Sequence, residues 1–223
     1  MRLQLHLSPN TQPVPWSYPY NLIGALHKWL GPNNDAHDGL SLFSFSWLKG
    51  GKKVENGLRF ARGATWTISF FEDEKSHKLL EGIKADGQVA FGMRVIGVDE
   101  LPTPDFGEVY RFETDSSFIV ARSTREDKSR AYLLWDNTAA DAALTNILRQ
   151  KLVKAGFSGE HLAVRVYFDR SYRNAKTKIS TIKGTNHKGS ECPVIIIGTP
   201  EAVRFAWLVG MGDMTGSGFG ALR

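Results

Sequence analysis

One cysteine, Cys192, is the only thiol in this 223-residue chain. A disulfide within the chain is therefore excluded, and so is a zinc cluster built from thiolates. No run of about 18 apolar residues occurs, so no ordinary membrane-spanning helix is expected. The N-terminus also lacks the continuous apolar core of a secretory leader. Leu3, Leu5 and Leu7 alternate there with Arg2, Gln4 and His6, the period of a half-buried strand. A soluble, cytoplasmic protein is expected. Acid is the scarcer charge: 23 Asp and Glu stand against 28 Lys and Arg, a net charge of +5. That balance points mildly toward a polyanion, and its distribution matters more than its sum. Glycine is not scarce, and 22 of them favour short elements joined by tight turns.

The pattern repeats once. After the first strand, Arg2 to Leu7, Ser17 reads as an N-cap with Pro19 in the first helical turn, and Gly31-Pro32 stops the helix. Strands follow over 40–49, 57–61 and 65–71, then a helix over 74–85 and a strand over 89–98. Pro102 and Pro104 mark a boundary. Extended segments at 108–112 and 118–121 lead to a long helix with Thr138 as cap and Asp141 completing a variant capping box. Segments 161–168 and 176–182 are expected to pair as a hairpin, and the β-branched run 192–197 to be a buried strand. Thr199 caps the last helix, with Pro200 at its first position, and Gly210 ends it. A short final strand is expected over 219–223. Two βαββαβ units in tandem make an α+β chain of two ferredoxin-like domains, 1–101 and 106–223.

The chain closes on GMGDMTGSGFGALR, with glycine at five of fourteen positions. No lysine follows any of these glycines, so this is no P-loop. No helix fits in the three residues after Gly220, so it is no dinucleotide fingerprint either. Two readings stay open: tight turns between packed elements, or a concavity of backbone amides for an anion.

A tandem ferredoxin-like chain ending in Gly210-Met-Gly212 and Gly218-Phe219-Gly220 resembles the RAMP superfamily. Within it, the chain resembles the CRISPR-associated endoribonuclease that processes precursor CRISPR RNA. A helix ending in GALHKWL, a loop with a histidine and a strand of LFSFS type extend the likeness to the N-terminal half. The resemblance implies a metal-independent reaction without cofactor. The ribose 2′-OH attacks the adjacent phosphate, leaving a 2′,3′-cyclic phosphate and a 5′-OH. It implies His37 as a catalytic residue, with His27 at the position of a second one. By their own chemistry alone, His37 reads first as a solvated loop histidine and His27 as a partly buried structural one at the edge of an apolar stripe; the resemblance is what makes them the leading candidates. No lysine follows the loop histidine, where one branch of the family has it. Lys28, Lys49 or Lys52 is left to supply positive charge, with Tyr18 and Tyr20 as spare candidates. Asp35, His37 and Asp38 have no spacing that fixes a metal.

Charge supports RNA as the partner. From Arg165 to Lys188 seven Lys and Arg meet one acid, Asp169, with Tyr167, Phe168 and Tyr172 interleaved. A second cluster joins Lys49, Lys52, Lys53, Arg59 and Arg62 against Glu55 alone. The candidate RNA contacts are Lys28, Lys52, Arg170, Arg173, Lys176, Lys178 and the backbone at Gly212, Gly216, Gly218 and Gly220. Precursor CRISPR repeat RNA is the expected partner; effector-complex subunits and a second copy remain open. A non-catalytic RNA-binding subunit is the alternative function. A small-molecule cyclic phosphoesterase would need two HxT or HxS motifs, and only His6-Leu7-Ser8 occurs.

Overall fold

Leu3, Leu5 and Leu7 are buried, as their alternation requires. Their strand, β1 (Arg2–Leu7), lies inside a four-stranded antiparallel sheet. The computed structural model describes residues 1–32, 40–124 and 130–223. In chain order the N-terminal half contains β1, α1 (Pro19–Leu30), β2 (Phe43–Phe45), β3 (Lys52–Val54), β4 (Gly57–Arg59), β5 (Ala64–Phe70), α2 (Asp73–Ala85) and β6 (Val95–Glu100). The sheet order is β2-β5-β1-β6, with β3 and β4 forming a separate hairpin. Leu22, Ala25, Leu26, Trp29 and Leu30 of α1 are buried, as are Leu79 and Ile83 of α2. The two helices approach closely at Gly82, where a Cβ would stand 2.3 Å from the Trp29 carbonyl oxygen.

The C-terminal half contains β7 (Val109–Phe112), β8 (Ala121–Thr124), β9 (Arg130–Leu133), α3 (Ala139–Lys154), β10 (Arg165–Phe168), β11 (Lys176–Ile182), β12 (Thr185–Glu191), β13 (Val194–Ile197) and α4 (Pro200–Val209). Its sheet runs β10-β13-β7, so the β-branched run around Val194 is the central strand. The expected last strand is reduced to a bridge of Leu222 with Thr114, beside β7. With that edge, both halves show the strand arrangement of a ferredoxin-like unit, and the whole is a double ferredoxin-like fold.

Several local expectations are corrected. Segment 161–168 pairs with β13, not with 176–182, and β11 pairs instead with β12. Thr138 is already helical at the N-cap of α3 and its hydroxyl caps nothing; Asn137 Oδ1 takes the Ala139 N–H at 2.9 Å. Asp141 turns outward to the Phe168 N–H and to Arg170. Tyr18, not Ser17, occupies the N-cap of α1. Thr199 does cap α4, accepting from the Ala202 N–H, and Gly210 does end it.

Each half has its own apolar core, one around Leu5, Leu26, Trp66 and Ile68, the other around Leu144, Val166, Ile196 and Val203. A third, small cluster of Phe118, Val120, Ile182 and Phe219, with Ile23 and Trp47 packed on it, joins α1, the β11–β12 hairpin and the chain's end.

Candidate functional site

The β11–β12 hairpin turns through Lys183-Gly184, both at positive φ (+50° and +75°). Two such residues make the type I′ turn that matches strand twist, and Ile182 accordingly faces Thr185. The tip reaches α1, where the Lys183 ammonium sits 5.3 Å from the Tyr20 ring centroid. Between hairpin, α1 and the glycine-rich segment lies a groove of about 670 Å³. Tyr20, Ile23 and His27 line it from α1, Lys183, Thr185 and His187 from the hairpin, and Gly212 to Ser217 from the loop. Leu40 and Ser41 line it as well.

The glycines serve first as packing residues. A Cβ on Gly220 would stand 1.9 Å from the Met211 carbonyl oxygen, and one on Gly218 would stand 2.6 Å from the Phe45 ring. One on Gly216 would meet Ser41 Oγ at 2.3 Å, and one on Gly212 the Val120 carbonyl oxygen at 2.4 Å. The segment is thereby pressed onto β2 and onto residues 118–120, just ahead of β8. The Asp213 N–H donates to the Val120 carbonyl at 2.7 Å and the Gly220 N–H to the Phe118 carbonyl at 2.9 Å. Met214 is left-handed (φ +61°) and opens a 3₁₀ turn at Thr215–Ser217. Among the described residues, no protein group accepts from the N–H of Met214, Thr215 or Gly216. Three successive amides of this kind suit an anion.

Lys151 stands beneath the loop. Its ammonium donates to the carbonyls of Val209 (3.1 Å) and Gly210 (3.3 Å) at the end of α4, and to Thr215 Oγ1 (2.9 Å). Burial lowers its pKa from 10.5 to about 7, against the opposing pull of Asp213. Arg122 pairs with Asp213 at 3.2 Å beside the groove. His187 is buried on β12, its Nδ1 3.4 Å from the Tyr132 hydroxyl and its ring against Phe219. Burial, then the nearby Arg122, lower its pKa.

The sequence candidates divide. His27, half-buried, is in the groove with Gly212 and Gly216. His37 belongs to 33–39, outside the described residues, as do Asp35 and Asp38; Leu40, which follows them, lines the groove. Lys28 is turned to α2, where Asp86 Oδ2 (2.8 Å) and the Gln88 carbonyl (2.6 Å) hold it. Arg170 is held by both oxygens of Asp141 and by the Asn137 carbonyl. Lys176 and Lys178 both pair with Glu191 across the hairpin, at 3.0 and 3.1 Å, an acid just outside the basic stretch read from sequence. Arg173 is exposed away from the groove, and Gly218 and Gly220 face the interior. Lys52 lines a different concavity, with Lys49. Tyr18 is buried, its hydroxyl accepting the Leu48 N–H at 3.1 Å, and burial raises its pKa; Tyr20 is the tyrosine in the groove. Among the described residues no group of three His, Cys, Asp or Glu is placed to hold a metal.

The family model described as "CRISPR associated protein Cas6, C-terminal" matches residues 101–223. No curated protein matches the chain. Among solved structures, one characterised from a Cas6-related gene of Pyrococcus furiosus superposes with a TM-score of 0.87 at 20% identity, covering 100% of this chain and 97% of that one. An RAMP protein binding different RNA substrates gives 0.85 at 19% identity, covering 100% and 98%. A Cas6 product complex gives 0.69 at 15% identity, covering 99% and 98%. These likenesses extend the shared fold over the N-terminal half, where the family model does not reach.

Proposed function

Starting from a chain that belongs to the CRISPR-associated Cas6 family, we propose that it is an endoribonuclease that cuts precursor CRISPR RNA within its repeats. The observation that carries this reading is the groove, which brings His27 together with the amides of Met214 to Gly216 and the cation Lys183. A phosphate held at those amides has an imidazole in the same concavity. The 2′-OH of the preceding ribose attacks the phosphorus, one base removes its proton, and one acid protonates the departing 5′ oxygen. His37 is the base of this reading and His27 the acid or a phosphate ligand. The loop amides and nearby cations offset the charge gathering on the phosphorane. Two imidazoles and fixed donors supply every proton and charge that the step needs, so the reading is metal-independent. Residues 1–101 and 106–223 act in it as two domains, with the groove at their meeting.

The test is cleavage of a labelled repeat RNA in EDTA. Wild type should cut to 2′,3′-cyclic phosphate and 5′-OH ends, and deoxyribose at the cut should abolish cleavage with binding kept. His27→Ala and His37→Ala should each lower the cleavage rate by about 10²–10⁴-fold with little change in affinity. Binding without cleavage by wild type would instead mark a non-catalytic RNA-binding subunit.

A further inference from the structure

Lys151 lines the groove from beneath the glycine loop, without a part in the proton transfers. It is buried, and it falls on the apolar stripe of α3 with Leu144, Leu148 and Leu152. Taking an ammonium out of water is costly, and a methionine would fill the same space without that cost. What the charge holds is the floor of the anion site.

The turn there is closed by its own backbone. The Ser217 N–H donates to the Met214 carbonyl at 2.8 Å and the Gly218 N–H to the Thr215 carbonyl at 3.2 Å. That closure fixes the shape of the turn but not its distance from α4. Lys151 sets the distance, because one ammonium bridges the Val209 and Gly210 carbonyls to Thr215 Oγ1. Thr215 is the middle one of the three residues whose N–H groups no protein group accepts among the described residues. A phosphate on those amides therefore lies one threonine away from a buried cation, whose field solvent ions screen less than that of a surface lysine.

We propose that Lys151 is a positioning residue for the cleavage step: it clamps Thr215 to the end of α4 and so holds the Met214, Thr215 and Gly216 amides against the scissile phosphate. The inference rests on the nuclease reading above and adds a residue to its site. Burial brings the pKa of the ammonium to about 7, so at neutral pH the free protein carries this charge only about half the time. Asp213 on the loop raises that pKa, and Asp213 is itself paired with Arg122 of β8. The other charged and titratable groups around it, among the described residues, are Lys154 on α3 and, lining the groove, His27, Lys183 and His187. β2 and the last turn of α4 bring none. A phosphate arriving at the amides adds negative charge beside the ammonium and draws a proton onto it. The bound state then holds the clamp in its charged, fully donating form.

The test uses the full chain and a repeat RNA with deoxyribose at the cut. The linkage there is either an ordinary phosphodiester or an uncharged methylphosphonate. Carbon NMR follows the lysine Cε resonance that titrates near pH 7, a readout that needs no variant. The phosphodiester RNA should raise the proton affinity of that group at least about tenfold, and the methylphosphonate should leave it within about twofold of the free protein. Lys151→Met should remove the resonance. On all-ribose RNA it should lower the cleavage rate at saturation by about 10- to 100-fold, with affinity within about threefold of wild type. Thr215→Val, which removes the acceptor and keeps the ammonium, should slow cleavage alike, and the double variant should be no slower than the slower single. A titration unmoved by the phosphodiester RNA would overturn the inference, and so would a wild-type cleavage rate in a folded Lys151→Met protein; both leave the nuclease reading intact. Wild type that binds the all-ribose RNA without cutting it would overturn both readings.

Discussion

Lys151 is a charged side chain in a place where the helix period asks for an apolar one. It falls seven residues after Leu144 and three after Leu148, on the buried stripe of α3, and only 1% of it is exposed. Its three acceptors fix the end of α4 to the glycine loop. Those carbonyls close a helix, so the local dipole favours the cation while burial opposes it. Burial wins, and the pKa falls to about 7. The unfolded chain therefore binds the extra proton between about pH 7 and 10.5, and this group makes stability rise with pH across that window. Below pH 7 the full penalty applies, about 3–5 kcal/mol. Lys151→Met removes the slope: compared with wild type, its Tm should be relatively higher at pH 6 than at pH 9.5, read by thermal melts at both. A difference in Tm that is flat with pH would mean that the ammonium is not buried as described. Residue chemistry of this sort is hidden in a sequence, because a lysine beside an apolar stripe reads as a solvated flank. The partial burial of His27 was legible because it lies at the edge of the apolar stripe of α1, and the burial of His187 was not, because its strand, TNHKGSE, is too polar to read as one.

At the scale of elements, the glycine-rich segment shows what glycine can and cannot announce. The sequence located the loop and excluded nucleotide cradles, but it gave no means to separate glycines that approach a ligand from glycines that approach the protein's own backbone. Gly220 is of the second kind, with positive φ (+65°) and the Met211 carbonyl 1.9 Å from any Cβ. Gly220→Ala should cost at least about 2 kcal/mol. Gly24, exposed inside α1 with nothing within 4 Å of a Cβ, is the contrast. Gly24→Ala should stabilise by about 0.5–1 kcal/mol through helix propensity alone. Urea midpoints of the two variants should move in opposite directions. The hairpin that forms the groove's outer wall was misread for a related reason. Lys183-Gly184 is a sound two-residue turn signal, yet β12 carries few β-branched residues, so the sequence pattern pairs 176–182 with the more apolar segment 161–168, earlier in the chain. Its partner Glu191 also neutralises Lys176 and Lys178, a pairing that only the register discloses.

At the scale of the whole molecule, the tandem architecture was legible because each half repeats helix and strand periods on its own core. How the halves meet was not. Arg2 alternates with the buried leucines of β1 and so reads as facing water, but the C-terminal half covers that face, and Arg2 is 4% exposed. Its guanidinium donates to the Leu222 carbonyl at 2.5 Å, the Trp207 carbonyl at 3.3 Å and Asp115 Oδ2 at 3.3 Å, and lies 4.6 Å from the Trp207 ring centroid. Burial lowers its pKa and Asp115 raises it in part. Lys49 completes the junction from the N-terminal half by pairing with Asp115. A buried pair of this kind adds little net stability against an apolar replacement, but breaking it leaves a charge stranded. Asp115→Asn should therefore cost about 3–5 kcal/mol, and Arg2→Met less, because Lys49 still pairs with Asp115. The double variant should cost less than the sum of the two by about 1–3 kcal/mol, because neither partner is then left unpaired. Urea unfolding of the four proteins measures the coupling. Additive losses would show that Arg2 acts through the two carbonyls alone. The groove lies where the halves meet, so a coupled junction also ties the placement of His27 to that of the glycine loop. In that case Asp115→Asn should slow cleavage at temperatures where the protein is still fully folded.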